Sequence, residues 1–167
     1  MTKTSHDSET PAHKQQVITA CAFIYQKIDG ENKLFLPKRA KTKGFLPDVF
    51  ELPGGHIDFG EDLTAGLKRE IREEFGMKIS VGDPFAAFTY VNEIKGSHSI
   101  EVVFFCKFVT PIDGIKLNPE DHSEYIWLSE QDIEKTFSSK KDLNDPEVKA
   151  IVKGFELLNG ETLIIFD

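Results

Sequence analysis

Only two cysteines, Cys21 and Cys106, stand in a chain of 167 residues, and both lie in apolar runs. So sparse a set reads as small core residues of a reduced, cytoplasmic protein rather than as the disulfide framework of a secreted one. Long hydrophobic runs are missing too: stretches such as Val102 to Cys106 are far too short to span a bilayer. Met1 to Gln15 lacks the apolar centre of a secretory signal and reads as a mobile leader, ahead of a single domain over residues 16–167. Positive charge is in deficit, with 20 Lys and Arg against 28 Asp and Glu and a net charge of −8. That balance excludes a protein that grips nucleic acid polymers through a basic face. It leaves room for a small phosphorylated ligand, because a bound metal inverts the local field. No internal repeat is found, and low complexity is confined to the leader. The expected protein is soluble, with a small-molecule partner and no membrane partner; its oligomeric state is not legible.

What is present is enough apolar material for a core, 40% of residues. Val17 to Ile28 is rich in β-branched and aromatic residues and runs into Asp29-Gly30, so it reads as a strand entering a turn, with Leu34 to Pro37 returning. Lys78 to Asn92 and Ser99 to Thr110 read as two strands joined around Gly96, and Glu124 to Leu128 as a short strand with the single Trp. Ser129 reads as the cap of a short helix through Phe137. Asp145 and Pro146 start a helix that Asn159-Gly160 stops, with Val148, Ile151, Val152, Phe155 and Leu158 on its apolar face.

The densest stretch is Gly54 to Met77, GGHIDFGEDLTAGLKREIREEFGM, which opens on a Pro-Gly-Gly turn and continues as a helix. At about 100° per residue, Leu63, Leu67, Ile71 and Phe75 form one apolar stripe. Glu74 falls within that stripe, Glu70 at its edge and Glu73 one step round. Like charges at i,i+4 repel and a buried unpaired carboxylate is costly, so the crowding calls for a cation. Mg²⁺ suits it, since hard cations take a few carboxylates together with substrate phosphates. For an arbitrary Glu-Glu pair the plainer reading is a surface helix neutralised by Lys68, Arg69 and Arg72.

The spacing favours the cation. Gly55, Glu61, Arg69, Glu70, Ile71, Glu73, Glu74, Gly76 and Met77 fill every fixed position of a pattern that resembles the box of the Nudix hydrolases. The resemblance implies an α/β fold, an α/β/α sandwich around a mixed sheet, and metal-dependent hydrolysis, with Mg²⁺ or Mn²⁺, of a nucleoside diphosphate linked to another group. It assigns metal binding to Glu70, Glu73, Glu74 and the Gly55 carbonyl, and catalytic roles to Glu70 and Glu73. Arg69 orients the glutamates, and Glu61 and Gly76 support the motif, Glu61 at the loop-to-helix junction. Glu120 is the expected general base, with Glu124 in reserve; both also fit solvated loop acids.

LFLPKRA, FELPGG and LNDPEVKAI resemble the branch that cleaves oxidised purine nucleoside triphosphates such as 8-oxo-dGTP to monophosphate and pyrophosphate. That likeness implies Arg39 near phosphate or ribose and Asn144 at the purine. Lys38, Arg39, Lys41 and Lys43 form a basic loop placed to meet phosphates, or simply a solvated one. Asn144 equally suits a residue leading into the helix cap. ADP-ribose or nucleotide-sugar pyrophosphatase activity is the alternative, and a nucleotide-sensing module without turnover is a third reading.

Overall fold

The computed structural model describes residues 13–137 and 141–160. Six strands form one mixed sheet: β1 (Gln16–Ile28), β2 (Glu31–Arg39), β3 (Gly54–His56), β4 (Ile79–Asn92), β5 (Ser97–Phe108) and β6 (His122–Leu128). Three helices complete the fold: α1 (Leu63–Phe75), the single turn α2 (Ile133–Thr136) and α3 (Pro146–Leu158). The strand order is β4-β5-β1-β2-β6, and β3 pairs with β1. β1 runs parallel to β5 and antiparallel to β2 and β3.

The alternation of side chains along a strand explains why β1 is apolar almost throughout: both its faces are covered. Cys21 and Phe23 face one core with Leu34 and Leu36, packed under Val148, Ile151 and Phe155 of α3. Ala20, Ala22 and Ile24 face the other with Phe35 and Phe104, packed under Leu67, Ile71 and Phe75 of α1. This is the expected α/β/α sandwich. Each layer has an aromatic centre: Phe23 meets Phe105 and Phe155 edge-on at 5.6 and 5.4 Å, and Phe35 meets Phe75 at 5.3 Å. α3 comes so close that a Cβ on Gly154 would stand 2.5 Å from the Phe23 ring.

The expected limits of α3 hold, and α1 has local caps of its own. Asp62 caps α1, its Oδ1 accepting from Thr64 N at 2.9 Å and Ala65 N at 3.0 Å, and Gly76 ends it in the left-handed region at φ 66°. Asp145 caps α3 through Glu147 N and Val148 N, with Pro146 in its first turn. Three sequence expectations need correction. The returning strand extends over Glu31–Arg39, beyond Leu34–Pro37, because β6 pairs along it to Arg39. The Pro-Gly-Gly segment is a turn that continues as a short strand, since Gly54 to His56 can lie against Cys21 to Thr19. Ser129 makes no side-chain cap bond; a 3-10 turn (Glu130–Asp132) precedes the short α2. Of the leader, residues 1–12 lie outside the described set, while Lys14 and Gln15 are tied by backbone hydrogen bonds to Gly96 O and His98 N. Among the described residues no helix is long and apolar enough to cross a membrane.

Candidate active site

A cleft of about 1060 Å³ runs from the face of α1 across β3 to the start of α3. It has this shape because β1 has two different neighbours along one edge. β3 pairs with Thr19 to Cys21 and β2 with Tyr25 to Ile28, and the chain between β2 and β3 carries Glu51 into the gap.

At the α1 end, Glu70 lies on the backbone of Gly55: a Cβ there would stand 2.6 Å from the Glu70 carboxyl carbon and Oε2. Arg69 fixes the arrangement. Its Nε and Nη2 donate to both oxygens of Glu61 at 2.9 and 3.0 Å, Nη1 to Glu70 Oε1 at 2.5 Å, and Nη2 to the His56 carbonyl at 3.0 Å. Glu73, about half exposed, stands 3.5 Å from the same guanidinium. The one guanidinium thus touches three of the motif's acids, Glu61, Glu70 and Glu73. Besides Arg69, Glu61 accepts from the Asp58 N–H at 3.0 Å, just before α1 begins. The Arg69 bond is the main reason its carboxyl is held below the usual range.

Glu74 is the exception in this network. Its Oε2 is sealed from solvent with no hydrogen-bond partner. Burial first, then Glu70, Glu51 and Asp121, push its carboxyl well above the ordinary range. Glu70 is raised as well, by burial, against the opposing pull of Arg69. A buried carboxyl with an unpartnered oxygen, one helical turn from a second carboxyl that lies on a bare glycine backbone, is a donor set that fits a hard divalent cation. Among the described residues no three His, Cys, Asp or Glu side chains already stand as a closed metal cage; such an ion would draw its other ligands from substrate and water. The steric relation carries a prediction. Gly55→Ala should displace the Glu70 carboxyl and lower turnover about tenfold with the fold intact, a misplacement effect, checked by steady-state kinetics beside circular dichroism.

The middle of the cleft holds residues the sequence reading missed. Arg39 Nη1 lies 3.1 Å from each oxygen of Glu51, and His122 Nε2 3.1 Å from its Oε1. Burial alone would raise Glu51, but Arg39, His122 and Lys141 outweigh it and hold the carboxyl at about 2. His122 stacks on Phe75 with ring centroids 5.0 Å apart. A lone acid between Phe50 and Leu52 was the available signal for Glu51; nothing in the spacing marked His122.

Lys38, Arg39 and Lys43 of the basic loop are engaged by partners, and Lys41 is exposed. Lys38 bridges Asp48 and Glu124, Lys43 bridges Asp121 at 2.7 Å, and Arg39 also donates to the Phe45 carbonyl at 2.9 Å. Arg39 lines the cleft, but its guanidinium is turned to Glu51. Glu120 lines the cleft from an exposed loop that Asn118 N anchors to the Glu74 carbonyl at 2.8 Å. Glu124 lies outside the lining, paired with Lys38. Asn144 is exposed and also outside it, its backbone N–H bound to Asp142 Oδ1 at 2.8 Å; Asp145 and Pro146 reach the wall instead.

A mixed sheet between two helical layers, with an Arg-organised acidic helix against a glycine strand, defines a Nudix-type hydrolase fold and site. The family model described as NUDIX domain matches residues 17–150. The chain belongs to that family and is a Nudix hydrolase. Enzymes of this kind act on small nucleotide substrates and generally use divalent metal ions. The chain is 29% identical over 115 residues to the nucleoside triphosphatase NudI of Escherichia coli O139:H28 (strain E24377A / ETEC), covering 64% of this chain and 79% of that one. Solved folds are similar. A MutT protein from Methanosarcina mazei Go1 matches with a TM-score of 0.68 and 24% identity, covering 90% of this chain and 99% of its own. A C. elegans Ap4A hydrolase in a binary complex matches with 0.66 and 22%, covering 86% and 98%.

Proposed function

We propose that this Nudix hydrolase cleaves a nucleoside triphosphate to the monophosphate and pyrophosphate with Mg²⁺, or Mn²⁺ in its place. The observation that carries the reading is Glu74, buried with an unpartnered Oε2, one helical turn beyond Glu70, which lies on the Gly55 backbone. The likeness to a nucleoside triphosphatase supports the triphosphate as substrate. Buried, unpaired Cys21 and Cys106 support a reducing, cytoplasmic setting.

Glu70, Glu74 and the Gly55 carbonyl would hold the metal, with the half-exposed Glu73 carboxylate completing the set. When bound, the cation supplies charge neutralisation at the phosphoryl oxygens and a lowered pKa for water. The chain does the rest. Arg69 keeps Glu70 aimed, Glu120 takes the proton from the attacking water, and the bare Gly54-Gly55 backbone admits the diphosphate closely. Gly76 ends α1 so that the chain turns back under the site.

The test is a hydrolysis screen with Mg²⁺ over nucleoside triphosphates, nucleotide sugars, ADP-ribose and dinucleoside polyphosphates, reading both products. Monophosphate and pyrophosphate in equal amounts from a triphosphate are the expected result. Faster cleavage of ADP-ribose or a nucleotide sugar moves the substrate. Binding without any product makes the chain a nucleotide sensor.

A further inference from the structure

On the α3 side of the sheet, Phe88, Glu101 and Thr19 lie in register across β4, β5 and β1, so their side chains share one face. All three line the cleft. Glu101 is 6% exposed, an unusual place for a carboxylate in mid-strand. Its Oε2 lies 3.4 Å from Thr19 Oγ1, whose single proton is shared with the Ile100 carbonyl at 3.2 Å; the Cys21 thiol is a further donor to the carboxyl, and Oε1 has no partner. The surrounding charges do not satisfy it. Lys141, 5% exposed, ion-pairs with Glu147, whose other oxygen accepts from Leu52 N. Arg39 is held by Glu51. Arg39 and His122 are thus engaged by Glu51 and Lys141 by Glu147, and Oε1 of Glu101 is left without a hydrogen-bond donor. Beside it stands an aromatic wall: Phe88 and Tyr90 line the cleft, and Phe45 lies nearly parallel to Tyr90, 13° between planes and 6.1 Å between centroids.

We propose that Glu101 is the specificity residue of a nucleobase subsite and reads the donor edge of a guanine-type base against the Phe88 and Tyr90 wall. A carboxylate offers acceptors only, so it selects an edge that offers donors. Guanine presents two adjacent N–H donors on its pairing edge, whereas adenine and cytosine set an acceptor beside their amino group, where it would meet the carboxylate oxygen repulsively. A wrong base also leaves the buried oxygen unpaired, the situation in which hydrogen-bonding sites discriminate most strongly. Ring stacking on the aromatic wall contributes to any base and sets affinity rather than choice. The inference deepens the nucleotide-hydrolase reading and rests on it for the identity of the ligand.

The experiment measures dissociation constants for GMP, AMP, CMP and UMP by titration calorimetry on the full chain, for the parent, Glu101→Gln and Thr19→Val. The parent should bind GMP at least about tenfold more tightly than AMP, a modest value for a paired base contact. Glu101→Gln should lose most of that ratio, and in turnover assays the loss should appear in KM more than in kcat. Thr19→Val, which removes the hydroxyl that orients Glu101, should reduce the ratio severalfold, and it decides the matter if Glu101→Gln does not fold. Equal binding of GMP and AMP by the parent overturns the assignment, as does an intact preference in either folded variant. Pyrophosphate release from GTP is followed in the same preparations. Selective GMP binding without release leaves Glu101 as the base reader and removes the catalytic reading instead.

Discussion

Glu74→Gln should cut turnover about 10³-fold while raising the melting temperature of the metal-free protein. The first effect follows from withdrawing a full negative charge from the place where a cation would be held, a loss at the upper end of what a single electrostatic contact to the reacting centre contributes. The second follows from burial. Glu74 is pushed up by desolvation and by the neighbouring Glu70, Glu51 and Asp121, and its Oε2 has no donor, so the ionised form strains the metal-free fold. Because the folded-state value lies above the unfolded one, the folded protein binds the extra proton, and metal-free stability falls as pH rises from the ordinary carboxylate value through the raised one. The amide does not ionise. The gap between variant and parent should therefore widen with pH, reaching about 2–4 °C if about 1 kcal/mol is recovered. Saturating Mg²⁺ should reverse the order, stabilising the parent more. A folded Glu74→Gln protein that turns over at the parental rate with Mg²⁺ would remove Glu74 from the metal site.

The acidic helix was legible because two periodicities coincide in it. Leu67, Ile71 and Phe75 set the buried face at helical spacing, and Glu74 intrudes on that face, a local conflict that marks function more often than error. Asp145 and Asn159 gave the ends of α3 because capping chemistry is local. The residues that escaped are those whose partners are distant in the chain. Glu51 meets His122 across 71 positions, Leu52 N meets Glu147 across 95, and Thr19 meets Glu101 across 82. No local pattern encodes such pairs; only the sheet order brings them together. The partner of Lys43 was hidden for the same reason, since Asp121 arrives from 78 residues away. Ser129 failed as a cap because a 3-10 turn follows it, and the hydroxyl is not drawn into a helical first turn.

Glu51 is where these long-range contacts converge, and Glu51→Gln should cost about 3 kcal/mol at neutral pH. The carboxyl is held at about 2 against an ordinary 4.5, because Arg39, His122 and Lys141 together overcome the burial that would raise it. A shift of that size corresponds to about 3 kcal/mol of favourable interaction with the ionised form. The amide keeps a hydrogen-bond acceptor for Arg39 but leaves the guanidinium, whose side chain is only 13% exposed, without its counter-charge. The sign with pH is opposite to that of Glu74. A lowered folded-state value contributes stability in full above about 4.5 and loses it as pH falls towards about 2. The difference between parent and variant in urea unfolding should therefore be full at pH 7 and shrink steadily in acid. One compensation works against the loss: Glu51 helps to raise both Glu74 and Glu101, so neutralising it relieves two other buried carboxyls. Glu101 is itself raised by burial to about 7, and its share of that relief is present only when it is ionised. The double variant Glu51→Gln with Glu101→Gln should consequently lose more than the sum of the two single changes at pH 8, since the relief is then counted twice in the sum, and the excess should fade below pH 6. Strict additivity at both pH values would mean that the two carboxyls do not sense each other across the floor of the cleft.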